Sequence, residues 1–292
     1  MPTKRKIILL LSPFYLFFTL FFFSAVLKSF VTSLGYYPIV GLKKIGLQYY
    51  GSAFHSATFL ASCERTFLFA LFSTAMACLV GLGLAFLFNG RKNNFTRIFF
   101  KIAQLPVMLP HIFIVLALLQ LISQTGLIPS LLVHLGIMSS INHFPLLVND
   151  PLQIGIILTY LWKEIPFVIV SLVLVLRQMD DRYKIVATNL GATKWQNFWH
   201  ISLPLIQPAL INAFIINFAF NFGSYEVPYL LGNQQRELLP VYIYDLYVQG
   251  DLTQLPLTMS LNLILSLFSI LFAGLLLKIG RFLPGGHTGG SK

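Results

Sequence analysis

Residues 66–88 read TFLFALFSTAMACLVGLGLAFLF, twenty-three positions without a charge. As a helix at 1.5 Å per residue this stretch is about 34 Å long, enough to cross the roughly 30 Å hydrocarbon core of a bilayer. Comparable uncharged runs lie on either side, at Ile7–Leu27, Ile102–Ile122, Leu203–Tyr225 and Pro256–Leu277. A sixth, Leu152–Leu176, carries Lys163 and Glu164 near its middle. The composition agrees: of 292 residues 57% are hydrophobic and 10% charged, with mean hydropathy +0.78, which excludes an ordinary soluble domain of this length. An all-α polytopic membrane protein with six spans is predicted.

The first run follows Lys4, Arg5 and Lys6 in the manner of a signal peptide. Its length exceeds a typical signal core and no small-residue cleavage site follows, so it is read as a retained helix. The formal charge of +11 then needs a membrane explanation. Six spans put both termini on one side, and that side collects Lys4, Arg5, Lys6, Arg91, Lys92, Arg97, Lys101, Arg177, Arg182, Lys184, Lys194, Lys278, Arg281 and Lys292, fourteen of the twenty cationic residues. Lys28, Lys43, Lys44, Arg65, Lys163 and Arg236 remain. Positive charge accumulates in cytoplasmic loops, which places both termini in the cytoplasm of a cell membrane. The other three connections, roughly 28–65, 123–151 and 231–255, are expected to form short surface helices. The tail at 281–292, Gly-rich from Pro284 to Lys292, is expected to be a flexible cytoplasmic end.

The loop between the fourth and fifth runs, residues 177–204, reads RQMDDRYKIVATNLGATKWQNFWHISLP. Asp180 or Asp181 can cap a short helix, and Gly191 can end it by entering the left-handed region that a Cβ penalises. Thr193 and Gln196 stand at capping-box spacing for a second helix. Ile185, Val186 and Leu190, with Trp195, Phe198 and Trp199, form an apolar helix-turn-helix face. Such a face needs a partner groove, unless it rests as an elbow on lipid headgroups.

This loop resembles that of the binding-protein-dependent ABC importer permeases, whose pattern is Glu-Ala-Ala, three residues, Gly-Ala, then an apolar segment ending Ile-x-Leu-Pro. Ala187, Leu190, Gly191, Ala192, Phe198, Ile201, Leu203 and Pro204 fall on the pattern, while Ile185 and Val186 replace its Glu and first Ala. Pro106 and Pro110 also look like the family. The stretch Phe222-Gly-Ser-Tyr-Glu-Val-Pro228, with Leu239-Pro240, is similar to its polyamine, thiamine, ferric-ion and aminoethylphosphonate branch.

The resemblance implies a type I importer core of five helices over residues 66–280, preceded by an N-terminal helix and periplasmic segment in 1–65. The loop would be a coupling helix contacting an ATPase through Ile185, Val186, Ala187, Leu190, Gly191, Ala192, Trp195 and Phe198. The implied partners are a cytoplasmic ATPase dimer that binds ATP and Mg, a second permease chain, and a periplasmic or lipid-anchored solute-binding protein. The implied location is the bacterial inner membrane, and the implied solute is a small polar or cationic compound such as a polyamine. The chain itself is expected to bind no cofactor or nucleic acid and to hydrolyse no ATP.

No Gly-Lys pair is present for a phosphate-cradling loop, the six histidines lack HExxH spacing, and no Gly-x-Ser-x-Gly elbow occurs. Cys63 and Cys78 imply neither a disulfide framework nor a metal knuckle. A secondary transporter would show paired broken helices in its two halves, a pattern the sequence lacks.

Polar residues inside the spans are the candidate path. Asn217, Asn221 and Ser224 repeat at i, i+4 and i+7, as do Asn262, Ser266 and Ser269, so each set marks one helix face. Such a face is either glue between helices or a wet wall. Lys163 and Glu164 are adjacent, about 100° apart on a helix, and mark either a water-accessible place beside Pro166 or an interfacial pair. Glu226 could meet a cationic solute, cap the following loop, or pair with Arg236.

Overall fold

The computed structural model describes residues 4–90, 94–178 and 181–282. Arg91, Lys92 and Asp180, and the Gly-rich tail from residue 283, lie outside them. The described residues contain helices but no strands, apart from one isolated bridge between Tyr37 and Leu42. Six helical segments are long and apolar enough to cross a membrane: Ile8–Ser33, Ala57–Asn89, His111–His134, Ile154–Gln178, Lys194–Gly223 and Leu252–Gly280.

The second span belongs to a continuous helix, Ala57–Gly90, of 34 residues. Its length of about 51 Å exceeds the hydrocarbon core, so the turns bearing Glu64 and Arg65 extend past the apolar run. The third run departs from expectation. Leu109 is extended (φ −84°, ψ 138°) before Pro110, so Ile102–Ile122 is not one helix. Proline lacks an N–H and forces its predecessor out of the helical region. The spanning helix therefore starts at His111, and a second break at Ser123 separates His111–Ile122 from Leu127–His134. By contrast, the fourth span runs through Pro166 as one helix, Ile154–Gln178.

Two compact units are distinguished. One comprises Met1–Ala61 and Tyr242–Phe268. In it the first span carries stacked phenylalanines, Phe17 on Phe21 and Phe18 on Phe22, around a π-helical turn at Thr19–Phe23. Its apolar side chains are exposed, as suits lipid contact. Ser33 and Tyr50 share a 2.7 Å hydrogen bond between hydroxyls, joining the end of that span to the short helix Gln48–His55.

The other unit, Ser62–Val241 with Ser269–Lys292, holds the second to fifth spans and two apolar clusters. Cys78, Ala85, Phe88, Val168, Leu172, Leu176 and Ile206 make the cluster nearer the 177–204 loop. Phe69, Val115, Ile156, Tyr160, Val227, Leu231 and Leu238 make the other. Gly81 lets the second and fourth spans approach closely: a Cβ there would stand 2.7 Å from Val168 Cβ and Cγ1. Small residues at such crossings are how membrane helices gain packing contact. Beyond the second cluster, Asn149 N–H donates to Leu231 O (2.7 Å), Gln153 Nε2 to Arg236 O (2.9 Å) and Leu239 N–H to Thr66 Oγ1 (2.7 Å), which ties the connections on that side together.

Candidate functional site

The loop before the fifth span folds as its local chemistry dictates. A helix runs Asp181–Asn189. Gly191 follows at φ +88°, its N–H donating to Thr188 O (2.9 Å), while Ala192 N–H donates to Ala187 O (2.9 Å). This pair of bonds is the Schellman closure that a left-handed residue makes possible. A second helix starts at Lys194 under a complete capping box: Thr193 Oγ1 accepts from Gln196 N–H (3.2 Å) and Gln196 Oε1 accepts from Thr193 N–H (2.8 Å). Asn197 Nδ2 donates to Thr188 Oγ1 (3.2 Å), tying the two helices together. The chain then passes through a π-helical turn, Phe198–Ser202, into the fifth span.

These bonds close the elbow, and its apolar side is exposed. Leu190 is 83% and Trp195 69% exposed, and Ile185, Val186 and Trp199 are also exposed. Trp195 stacks on Phe198 with centroids 5.8 Å apart, and Phe198 meets Phe86 of the second span edge-on at 5.0 Å. Phe198 thus joins the exposed face to the apolar cluster behind it. Ala187 and Ala192 are half-buried at the turn.

The polar residues of the spans divide into those turned inward and those left open. Asn217 and Asn221 are buried. Asn221 Nδ2 donates to Ser73 Oγ (3.0 Å) and Thr74 Oγ1 (3.1 Å), bonds between the fifth and second spans. Glu164 is 4% exposed and lies beside Asn221, and Tyr160 is buried on the same span. Asn262 and Ser266, in the other unit, are exposed, and Ser266 Oγ donates to Asn262 O (2.9 Å). The two similar stripes thus have different surroundings.

Lys163 points away from Glu164. Its Nζ donates to Leu109 O (2.8 Å) and lies 2.8 Å from His111 Nδ1. Lys163 stands nine residues into the fourth span, so the Leu109–Pro110 break lies about 13 Å along that helix from its start. Beside it opens a cleft of about 370 Å³ lined by Pro110, His111, Ile112, Phe220, Gly223, Ser224, Tyr225 and Glu226. The His111 ring lies on Phe220 with centroids 4.0 Å apart. Ser224 and Glu226, picked out by sequence, are brought together here. His111, Phe220 and Gly223 were missed, and the signal that could have found them was the Pro110-His111 pair interrupting an apolar run.

Residues 77–281 match the family described as binding-protein-dependent transport system inner membrane component. The chain belongs to that family. The permease is 26% identical over 216 residues to the probable sulfate transport system permease protein cysT of Marchantia polymorpha, covering 73% of this chain and 72% of that one. It is 23% identical over 177 residues to the molybdenum transport system permease protein ModB of Mycobacterium tuberculosis, covering 61% and 63%. It is also 23% identical over 160 residues to the spermidine/putrescine transport system permease protein PotB of Haemophilus influenzae, covering 55% and 54%. The polyamine relatives are therefore not singled out. Among solved structures, a bacterial ABC transporter involved in the import of the acidic polysaccharide alginate superposes with TM-score 0.77 at 19% identity, covering 96% of this chain and 97% of that one. A second structure of a bacterial alginate ABC transporter, in complex with an alginate pentasaccharide-bound periplasmic protein, has the same fold, with TM-score 0.77 at 19% identity and 95% of each chain covered.

Proposed function

We propose that this permease forms the translocation path of an ATP-driven importer of the bacterial inner membrane, with both termini in the cytoplasm. The observation that carries the reading is the exposed apolar elbow at Ile185–Trp199, closed by the Gly191 turn and the Thr193 cap. A surface of this kind, in a loop bearing the family pattern, transmits movement only if a partner covers it. That partner is a cytoplasmic ATPase dimer, which binds ATP and Mg; this chain binds neither. A second permease chain, similar or identical, completes the pore, and a periplasmic or lipid-anchored binding protein delivers the solute.

The solute is small and polar or cationic, with a polyamine as one such compound. Glu226 in the cleft supports a cationic group on it. The path residues are those named from the sequence: Lys163, Glu164, Asn217, Asn221, Ser224, Glu226, Asn262 and Ser266. The burial of Asn217 and Asn221 gives these two a role in positioning the fifth span, while the open Asn262 and Ser266 suit a wet wall.

Purification of the tagged chain tests the reading. An ATPase subunit is expected in stoichiometric amount, with solute uptake into sealed vesicles dependent on ATP. Uptake driven by an ion gradient without that subunit would establish a secondary transporter instead. Orientation is checked by a cysteine at Ser140, expected to react with an impermeant reagent applied outside intact cells. Protection of that site would reverse the assignment.

A further inference from the structure

We propose that the cleft at the Leu109–Pro110 break is a solute site within the permease, matched to a small zwitterion carrying an ammonium at one end and a hydrogen-bond-accepting oxyanion at the other. The site rests on the reading of the chain as an importer and narrows its solute.

The break frees Leu109 O from helical pairing, and Lys163 Nζ donates to it at 2.8 Å, which anchors the ammonium. The same nitrogen is 2.8 Å from His111 Nδ1. An ammonium only donates, and lysine is far more basic than imidazole, so the proton stays on Lys163 and Nδ1 accepts. A neutral ring that accepts at Nδ1 carries its hydrogen on Nε2. With Nδ1 taken and the ring held flat on Phe220, the atom that His111 offers a solute is the Nε2–H donor.

One wall thus presents a donor backed by the Lys163 charge. Another presents the Glu226 carboxylate, which is near enough to act electrostatically on Lys163. A polyamine satisfies Glu226 but gives His111 no acceptor. An oxyanion satisfies His111 but faces Glu226. A zwitterion matches both, and leaving a donor or a charge unmatched is what a polar site discriminates against.

Gly223 supplies a probe that spares the fold. A Cβ there meets no protein atom within 4 Å, so a side chain would enter the cleft rather than the packing. In proteoliposomes holding the permease with its ATPase and binding protein, 2-aminoethylphosphonate, spermidine and sulfate are compared as solutes. The zwitterion is expected to be taken up best. Gly223→Val and His111→Phe are expected to lower its uptake about tenfold or more, and His111→Gln, which keeps a donor, by less than about threefold. Uptake by each variant is compared at equal amounts of assembled complex. Preference for spermidine or sulfate, or zwitterion uptake indifferent to Gly223→Val, would overturn the proposal.

A second readout does not depend on transport. In the ¹⁵N-histidine spectrum of the assembled complex, the signals removed by His111→Gln should be those of a ring protonated at Nε2 alone, and Lys163→Met should shift them. A ring protonated at Nδ1, or at both nitrogens, overturns the site. Absence of ATP-driven uptake for all three solutes, with this NMR signature intact, would overturn the import reading and leave the geometry standing.

Discussion

Gly191→Val is expected to yield a stably inserted permease that no longer holds its ATPase or no longer couples hydrolysis to uptake. At φ +88° the residue lies where any Cβ costs about 1–2 kcal/mol, and a β-branched one more. Space is not the issue, since a Cβ at this position meets nothing within 4 Å. The cost is wholly conformational, and relieving it means giving up the bonds from Gly191 N–H to Thr188 O and from Ala192 N–H to Ala187 O. The two helices would then leave the angle that sets Ile185 and Leu190 beside Trp195 and Phe198. A graded series isolates the cause: Gly191→Asn should remain near the parent, because asparagine tolerates the left-handed region, and Gly191→Ala should fall between. ATPase pull-down and solute uptake measured across the series decide the matter, and equal values throughout would show that the turn does not matter to coupling.

Gly81→Leu should have the opposite character, losing the folded protein rather than its coupling. The added Cβ would lie 2.7 Å from Val168 Cβ and Cγ1 and 3.3 Å from Ile165 O, all rigid parts of the fourth span. Overpacking a tight contact costs about 1–3 kcal/mol even for small additions, and a leucine adds three further carbons. The second and fourth spans would have to separate, opening the cluster of Cys78, Ala85, Leu172 and Leu176. Gly83 is the control, because it is exposed and a Cβ there meets nothing within 4 Å. Monodisperse yield in detergent and thermal midpoint should therefore drop sharply for Gly81→Leu and stay near the parent for Gly83→Leu.

The two glycines also show what a sequence can and cannot reveal. Gly191 was legible because its partners, Ala187, Thr188, Thr193 and Gln196, lie within five residues, and capping chemistry is local. Gly81 was not, because its reason is Val168, which an uninterrupted apolar run does not announce. The same holds for the cleft. Pro110 was visible as a helix breaker, but the ammonium that answers the freed carbonyl comes from Lys163, fifty-four residues away. Periodicity drew the stripes of Asn217 and Asn221 and of Asn262 and Ser266 identically. It defines a face but not what covers it: Ser73 and Thr74 cover Asn221, while Asn262 is open in this chain. The six spans needed only length and apolarity, so they were readable from the start, and the third was misplaced because one proline outweighed the uncharged run around it.

If the elbow is a docking surface for an ATPase, its exposed side chains meet protein, whereas a foot on the lipid would meet only headgroups. A photoreactive residue in place of Leu190, the most exposed apolar side chain among the described residues of the loop, tests it in native membranes. On irradiation one protein adduct is expected, its partner the co-purifying ATPase subunit, formed in the parent background and lost with Gly191→Val. Adducts with lipid alone, unchanged by Gly191→Val, would contradict it.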